Sequence, residues 1–145
     1  MNTQRPEISS LDNPLYYLEN FRTVLAWVSE HHADLLNREE RAQLEGFNRL
    51  GTAAQGLLAR LVMRRGNHFR LSKLSYPELG ASMGDVVGEL EAGGWLNSAA
   101  TISLEALFRL FTRAELQSML AGQLQQLGLP RTTTKQRMLE GVQSM

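Results

Sequence analysis

The amino-acid sequence predicts a mainly α-helical fold. Apolar residues recur every three or four positions through most of its 145 residues, which is the spacing of one helix face. At four predicted helix starts, an Asn or Thr is followed three positions later by Glu or Gln, the pattern of a capping box. Hydrophobic residues make up 43% of the chain and charged residues 21%, so the chain can form a packed core.

Three helices are predicted in the first half of the chain. The first carries an apolar stripe made of Leu15, Leu18, Phe21, Leu25 and Val28. Asn37 and Glu40 form a capping pair that opens the second helix. Thr52 and Gln55 open the third, and Gly66 is the residue predicted to end it.

Residues 52–96 predict a unit like a winged helix-turn-helix. Phe69–Leu71 alternates like a short strand, Tyr76–Gly80 fits a short helix, and Trp95–Leu96 begins another extended piece. The order helix, strand, short helix, helix, strand is typical of winged helix-turn-helix domains. Within it, Val86–Leu96 resembles a recognition helix and the first strand of a wing.

The last third of the chain predicts a helix, an extended tripeptide and a second helix. The capping pair Thr112–Glu115 opens the first helix, and Gly128–Pro130 breaks the helical pattern. The pair Thr133–Gln136 then opens a final helix. We therefore predict a helical and winged-helix-like domain over residues 1–100 and a shorter helical element over 101–145.

The formal net charge is zero, but the charges are strongly segregated. Residues 1–45 have four bases and eight acids, and residues 46–77 have six bases and no acid. Residues 78–105 have five acids and no base, and residues 106–145 have five bases and two acids. The two basic blocks predict two contact areas for nucleic acid, or else they neutralise the acidic blocks across the folded surface.

Composition excludes several classes of protein. The sequence has no cysteine, which removes disulfides, thiolate metal sites and cysteine nucleophiles. Residues 1–14 lack the apolar segment of a signal peptide, and no apolar run approaches the roughly 20 residues of a membrane span. We expect no membrane partner and a cytoplasmic location, associated with the nucleoid.

No catalytic or metal-binding constellation is evident. His31 and His32 are adjacent, so on a helix they point about 100° apart and cannot bind one metal ion together. His68 is isolated, and the acids Glu39 and Glu40 fit a helix N-terminus. We expect no cofactor in this chain and no cleavage of nucleic acid by it.

Basic residues supply the candidate binding site. A run from the third predicted helix onward could contact successive phosphates of a duplex. Its members are Arg60, Arg64, Arg65, His68, Arg70 and Lys73. The alternative is that these cations only complement a helix C-terminus and keep its surface hydrated.

Lys135 falls in the first turn of the last predicted helix, where a cation opposes the helix dipole. A bound phosphate would use both the free backbone N–H groups and the ammonium group. Arg131 and Arg137 lie near it in the sequence and complete this second candidate group.

The last predicted helices resemble the SAP motif, a helix–extended–helix element that binds DNA. The matching residues are Glu115–Leu116, Gly128–Pro130, Lys135 and Met138–Leu139. Thr133 stands where that motif usually has glycine.

The chain as a whole resembles the Fanconi-anaemia-associated nuclease family over roughly residues 11–140. The stretches that carry the resemblance are Pro14–Phe21, Ala54–Leu61, Arg64–Gly66, Phe69–Arg70, Lys73–Gly80 and Gly94–Leu96. Eukaryotic members begin with a cysteine zinc finger, so the absence of cysteine indicates a bacterial-type member.

This resemblance implies a DNA-binding, substrate-positioning N-terminal module of a structure-specific nuclease, acting on 5′-flaps in crosslink repair. It implies double-stranded, flap or branched DNA as a partner. It also implies a TPR-like domain and a nuclease domain in the same parent protein, the latter using Mg²⁺ or Mn²⁺. The alternative is a protein-interaction or scaffolding helical module without direct DNA contact.

Overall fold

Eight α-helices are present in the computed structural model, which describes residues 13–145. They are α1 (Tyr16–His31), α2 (Arg38–Arg49), α3 (Thr52–Val62), α4 (Met83–Ala92), α5 (Leu104–Leu110), α6 (Arg113–Met119), α7 (Ala121–Gln126) and α8 (Lys135–Gln143). Short 3₁₀ turns occur at Ala33–Leu35, Leu71–Lys73 and Pro77–Leu79. The predicted mainly α fold is confirmed. None of these helices is long and apolar enough to cross a membrane.

Backbone contacts divide the chain into two units. The first extends to Gly66 and resumes at Lys73–Ser98. The second consists of Asn67–Ser72 and Ala99–Met145. The chain thus enters the second unit for six residues, returns to the first, and then completes the second.

Helix α3 is the centre of the first unit. It packs against α1, α4 and the 3₁₀ turn at Pro77–Leu79. Seven of its eleven residues are buried: Ala54, Gln55, Gly56, Leu57, Leu58, Ala59 and Leu61. Aromatic contact adds α2 to this core, because the rings of Phe21 and Phe47 meet edge to face at 5.3 Å.

Side-chain capping explains several of the helix starts. Asn37 Oδ1 accepts the backbone N–H of Glu40 at 2.8 Å, and the Glu40 carboxylate accepts the N–H of Asn37 at 3.1 Å. The same reciprocal pair joins Thr112 and Glu115 at the start of α6. Both predicted capping boxes are confirmed, and each satisfies N–H groups that a helix leaves without internal partners.

The predicted capping box of Thr52 and Gln55 is wrong. Gly51 is the N-cap residue of α3, and no side chain caps the helix. Gln55 is buried and serves tertiary contacts: its Nε2 donates to the Phe47 carbonyl at 2.7 Å, and its Oε1 accepts from Arg22 Nε at 2.8 Å. A buried side-chain amide needs a partner for its N–H groups and one for its oxygen. Gln55 therefore bonds to Phe47 and Arg22, and its side chain does not cap α3.

The short strand predicted at Phe69–Leu71 and the wing strand predicted from Trp95 are also wrong, since residues 13–145 contain no strand. Trp95 instead closes α4, donating its N–H to the Leu90 carbonyl at 2.8 Å while Gly94 has a φ of 79°. This is a Schellman ending, for which glycine is suited because it lacks a Cβ. In the other predicted strand, Leu71 begins a 3₁₀ turn.

The second unit has a small core of its own. Phe108, Leu116, Leu124 and Met138 are buried together, and α8 packs against both α5 and α7. The single helix predicted to reach Leu127 is two helices, because the chain leaves helical geometry at Leu120 (φ −108°, ψ 21°). A second Schellman ending, with Gly128 at φ 66°, closes α7.

The buried glycine of α3 gives a prediction about stability. A Cβ at Gly56 would lie 2.4 Å from Leu79 Cδ2, whereas a Cβ at Gly88, in the exposed part of α4, meets nothing within 4 Å. We expect Gly56→Ala to lower the free energy of unfolding by about 1–2 kcal/mol through overpacking. Gly88→Ala should raise it by about 0.5–1 kcal/mol through helix propensity. Urea denaturation of both variants measures the two effects, and stabilisation by Gly56→Ala would show that Leu79 yields without cost.

Candidate nucleic-acid interface

Arg60 is held inside the first unit. Its guanidinium carbon lies 3.8 Å from the centre of the Tyr17 ring and 5.5 Å from that of Tyr76. Its Nη2 is 3.4 Å from Glu78 Oε1, which also accepts the Tyr17 hydroxyl at 2.9 Å. Arg60, predicted to lie away from the apolar face, is a third exposed and joins α3 to α1 and to the Pro77–Leu79 turn.

Electrostatics within this cluster follow from burial and hydrogen bonding. Burial and the hydrogen bond to Glu78 raise the pKa of the Tyr17 phenol. Burial alone would raise the pKa of the Glu78 carboxyl, but hydrogen bonds from its own N–H and from Tyr17, together with Arg60, lower it below its usual range. For Arg60, burial acts to lower the pKa, but the contacts with Tyr17 and Glu78 raise it. The cluster therefore favours a charged Arg60 and Glu78 and a neutral Tyr17.

Arg70 is held in the same manner in the second unit. Its Nη1 lies 2.7 Å from Glu115 Oε2 and 3.4 Å from the Leu110 carbonyl, and its guanidinium carbon is 3.9 Å from the centre of the Phe111 ring. About a fifth of its side chain is exposed. The side chain of Arg70 thus links segment Asn67–Ser72 to α5 and α6.

The other predicted cations lie at the surface. In the first unit, Arg64, Arg65 and Lys73 are exposed, and Arg64 donates to the Tyr76 hydroxyl at 3.4 Å. In the second unit, His68 is exposed. The basic run predicted from Arg60 to Lys73 is therefore divided between the two units and includes two arginines with internal partners.

The remaining candidates surround the start of α8. Arg131 and Arg137 are exposed, and Lys135 is half-buried. The N-cap is Thr134, whose hydroxyl accepts the N–H of Arg137 at 3.2 Å, so Lys135 is the first residue of the helix. Its predicted place in the first turn is correct, and because the N–H of Arg137 is capped, the N–H groups of Lys135 and Gln136 are the ones in this turn without a partner inside the helix.

Thr133, predicted as the N-cap, has another role. It is buried, and both its N–H and its hydroxyl donate to the Pro130 carbonyl, at 3.0 and 2.5 Å. The hydroxyl thereby closes a turn before the helix begins, and the capping role passes to the next threonine.

Two functional candidates were missed from the sequence. Arg113 donates to the carbonyl oxygens of Arg131 and Thr133 at 2.7 and 3.1 Å, and Gln117 Nε2 also donates to Arg131. The available signal was that Arg113 is a cation in the first turn of a helix, the same unfavourable position that singled out Lys135.

The surface of α4 is acidic, unlike that of a helix that enters a DNA groove. Asp85, Glu89 and Glu91 are exposed, and the helix contains no basic residue. The pKa of Glu91 is lowered mainly by the hydrogen bond from the Ser98 hydroxyl and to a smaller extent by the one from the backbone N–H of Ser98. Among residues 13–145, no group of three or more His, Asp or Glu residues could hold a metal ion.

These features define a class: a helix-turn-helix unit followed by a helix–extended–helix element with cations at its second helix. Comparison with known proteins gives the family. The model of the FAN1 HTH domain matches residues 15–97, and that of the Fanconi anemia-associated nuclease SAP domain matches residues 101–144. The chain therefore belongs to the Fanconi-associated nuclease 1 (FAN1) family, and its resemblance to that family is confirmed.

Individual relatives agree with this assignment. The Fanconi-associated nuclease 1 homolog of Pseudomonas aeruginosa is 41% identical over 89% of this chain, and human Fanconi-associated nuclease 1 is 30% identical over 72%. The crystal structure of paFAN1 bound to 5′-flap DNA with a 2-nucleotide flap and a gap matches 94% of the chain with a TM-score of 0.84. A second, with a 1-nucleotide flap, matches 91% with a TM-score of 0.80. The chain spans 23% of the Pseudomonas protein and 10% of the human one.

The Tyr17–Arg60–Glu78 cluster predicts a pH dependence of stability. Because the folded-state pKa of Glu78 is lowered, its contribution is present above the unfolded pKa of about 4.3 and is lost as the pH falls through the folded value. Glu78→Gln should lower the free energy of unfolding by about 1–2 kcal/mol at pH 7 and by much less near pH 3. Denaturant titrations at both pH values measure this. Glu30→Gln, at an exposed position on α1, is the control. Its effect on the free energy of unfolding should not differ between pH 7 and pH 3. An equal loss at both pH values would contradict a role for the charge.

Proposed function

We propose that this chain is the DNA-binding, substrate-positioning N-terminal module of a structure-specific nuclease that acts on 5′-flaps in interstrand-crosslink repair. The observation that carries the proposal is the match of 94% of the chain, at 41% identity, to paFAN1 in a complex with 5′-flap DNA. Nearly the whole chain has a counterpart in a protein that holds this DNA.

We assign DNA contact to the exposed cations of each unit. In the first unit they are Arg64, Arg65 and Lys73, and in the second they are His68, Arg131, Lys135 and Arg137. Arg60 and Arg70 are left out because each is engaged by an aromatic ring and a carboxylate. The assigned residues would contact phosphates, since lysine and arginine side chains at a surface bind the backbone of any sequence.

The proposed binding reads the shape of DNA and not its sequence. Insertion of α4 into a major groove would bring Asp85, Glu89 and Glu91 toward phosphates. The helix has no lysine or arginine to offset this repulsion. The helix-turn-helix unit therefore supports the module through its fold and its basic loop residues. A substrate-positioning role needs no base readout, because a flap is distinguished by its geometry.

The rest of the proposed parent protein supplies catalysis. We assign TPR-like and nuclease domains, and the Mg²⁺ or Mn²⁺ of phosphodiester hydrolysis, to residues outside this chain. The described residues contain no carboxylate cluster that fits such an ion. We further propose a cytoplasmic location in association with the nucleoid.

A second candidate function, protein interaction without DNA contact, has one observation in its favour. The first unit carries a groove of about 270 Å³ lined mainly by apolar side chains, among them Phe21, Leu25, Leu44, Phe47 and Trp95. Apolar grooves suit protein segments better than phosphates. Under this alternative the isolated chain would show no salt-dependent affinity for DNA.

Titration with salt tests the basic residues of the first unit. Each phosphate contact contributes about −0.9 to the slope of log K against log salt concentration. We expect replacement of Arg65 and Lys73 by Gln to make the slope less negative by about 1.8 and to weaken flap and plain duplexes alike. Anisotropy of a labelled 5′-flap duplex at increasing KCl concentrations gives both quantities.

The matched control removes the same number of charges from α2. Arg38 and Arg49 are exposed there, and their replacement by Gln changes the net charge equally. This control should leave the slope close to that of the unaltered chain. Equal effects of the two double variants would reduce the role of Arg65 and Lys73 to net charge, and an affinity independent of salt would contradict phosphate binding.

Lys135→Glu separates stability from binding in the second unit. A carboxylate at the first position of α8 complements the helix dipole and should stabilise the folded chain by up to about 1 kcal/mol. The thermal midpoint should therefore stay the same or rise. The same change places negative charge against phosphate and should cost about 1.5–3 kcal/mol of DNA binding. Calorimetry and anisotropy on one preparation measure both. Unchanged binding would make Lys135 a solvated lysine, and a lower thermal midpoint would reveal an internal acidic partner.

A further inference from the structure

Arg113 holds the segment that leads into α8, although it belongs to a different helix. It is the first residue of α6, and its Nη1 donates to the carbonyl of Arg131 at 2.7 Å and to that of Thr133 at 3.1 Å. One turn further along α6, Gln117 donates to the same Arg131 carbonyl. A carbonyl oxygen has two lone pairs, so these two donors saturate that of Arg131.

These hydrogen bonds fix the direction of two peptide planes. In a trans peptide the C=O and the following N–H point in opposite directions, and residues 13–145 contain no cis peptide. Because the carbonyls of Arg131 and Thr133 face Arg113, the N–H groups of Thr132 and Thr134 point away from it. Within this segment, the carbonyls of Arg131 and Thr133 therefore face Arg113, and the N–H groups of Thr132 and Thr134 face the opposite way.

The position of Arg113 also matters for its charge. A cation in the first turn of α6 opposes the dipole of its own helix, and its side chain directs that charge at two carbonyl dipoles. Those contacts hold the guanidinium against the carbonyl oxygens of Arg131 and Thr133. Around this segment, Arg131 and Arg137 are exposed and Lys135 is half-buried, and neither Arg131 nor Arg137 donates a side-chain hydrogen bond to the carbonyls that Arg113 engages.

We propose that Arg113 is a positioning residue for DNA binding: it sets the backbone of residues 131–134 and thereby the place at which Lys135 meets a phosphate. Gln117 assists it through the shared carbonyl. This inference rests on the proposed function, since it concerns how the second unit presents its cations to the same DNA.

A double-mutant cycle on the whole chain tests the inference with a labelled 5′-flap duplex as the probe. Arg113→Ala should weaken binding about three- to tenfold, and in the Lys135→Ala background it should weaken binding less than about twofold. Non-additivity is expected because Arg113 acts through Lys135. Arg109→Ala, which removes an equal charge from the exposed surface of α5, is the matched control and should change affinity by the same small factor in both backgrounds.

A second variant, Gln117→Ala, tests the same inference if Arg113→Ala is poorly folded. Gln117→Ala removes one donor to the Arg131 carbonyl without changing the net charge, and it should weaken binding in the same direction by a smaller factor. In either variant, the backbone amide NMR signals of residues 131–136 should move without DNA, and thermal midpoints should show that the protein remains folded at the assay temperature.

The outcomes distinguish the positioning role of Arg113 from the proposed DNA binding of the chain. Equal losses on removing Arg113 in both backgrounds would identify a direct phosphate contact and overturn the positioning role. Unchanged affinity in both Arg113→Ala and Gln117→Ala would overturn it as well. Failure of the unaltered chain to bind the flap duplex would instead count against the proposed function itself.

Discussion

The burial of α3 on almost every side is the constraint on which the first unit depends. A helix so enclosed must be covered by several neighbours, and its small residues Ala54, Gly56 and Ala59 let them approach closely. It also encloses one polar side chain, Gln55, whose amide must find partners in the interior. Arg22 on α1 and the Phe47 carbonyl at the end of α2 provide them. One buried amide thus links three helices and fixes where α2 ends against α3.

The same packing decides which cations can bind a ligand. Arg60 leaves α3 next to the Tyr17 and Tyr76 rings and to Glu78, so its charge has an aromatic and an acidic partner within the unit. Arg70 repeats the arrangement with Phe111 and the carboxylate of Glu115. In both cases an aromatic face and a carboxylate together hold a guanidinium, whose planar shape allows stacking and hydrogen bonding at once. Among the other predicted cations, Arg65, Lys73, Arg131 and Arg137 are exposed.

Membership of the FAN1 family does not by itself say how each part of the chain is used. A helix-turn-helix fold is associated with reading DNA sequence through a recognition helix, but α4 offers an acidic surface here. The second unit has the opposite character, because exposed arginines and the N-terminus of α8 lie together there. The chemistry of the surface, and not the fold, therefore distinguishes the acidic helix α4 from the basic surface at the start of α8.

The sequence by itself determined the features that depend on hydrogen bonds within a few residues. The capping boxes at Asn37 and Thr112, the glycine-closed end of α7, and the mainly α fold all follow from local patterns. The position of Lys135 in the first turn of the last helix also follows from such a pattern, as does the family resemblance.

Tertiary structure alone decided what each polar side chain bonds to when several partners compete. Gln55 has the spacing of a capping residue, yet it is buried and its side chain bonds to Arg22 and Phe47 instead. Arg60 and Arg70 resemble phosphate ligands by charge, yet Glu78 and Glu115, distant in sequence, engage them. The two short strands predicted at Phe69–Leu71 and from Trp95 are absent for a related reason, since a strand requires a partner that the sequence of either segment does not specify. A local pattern records what a residue is able to do, and only the folded neighbours select among those possibilities.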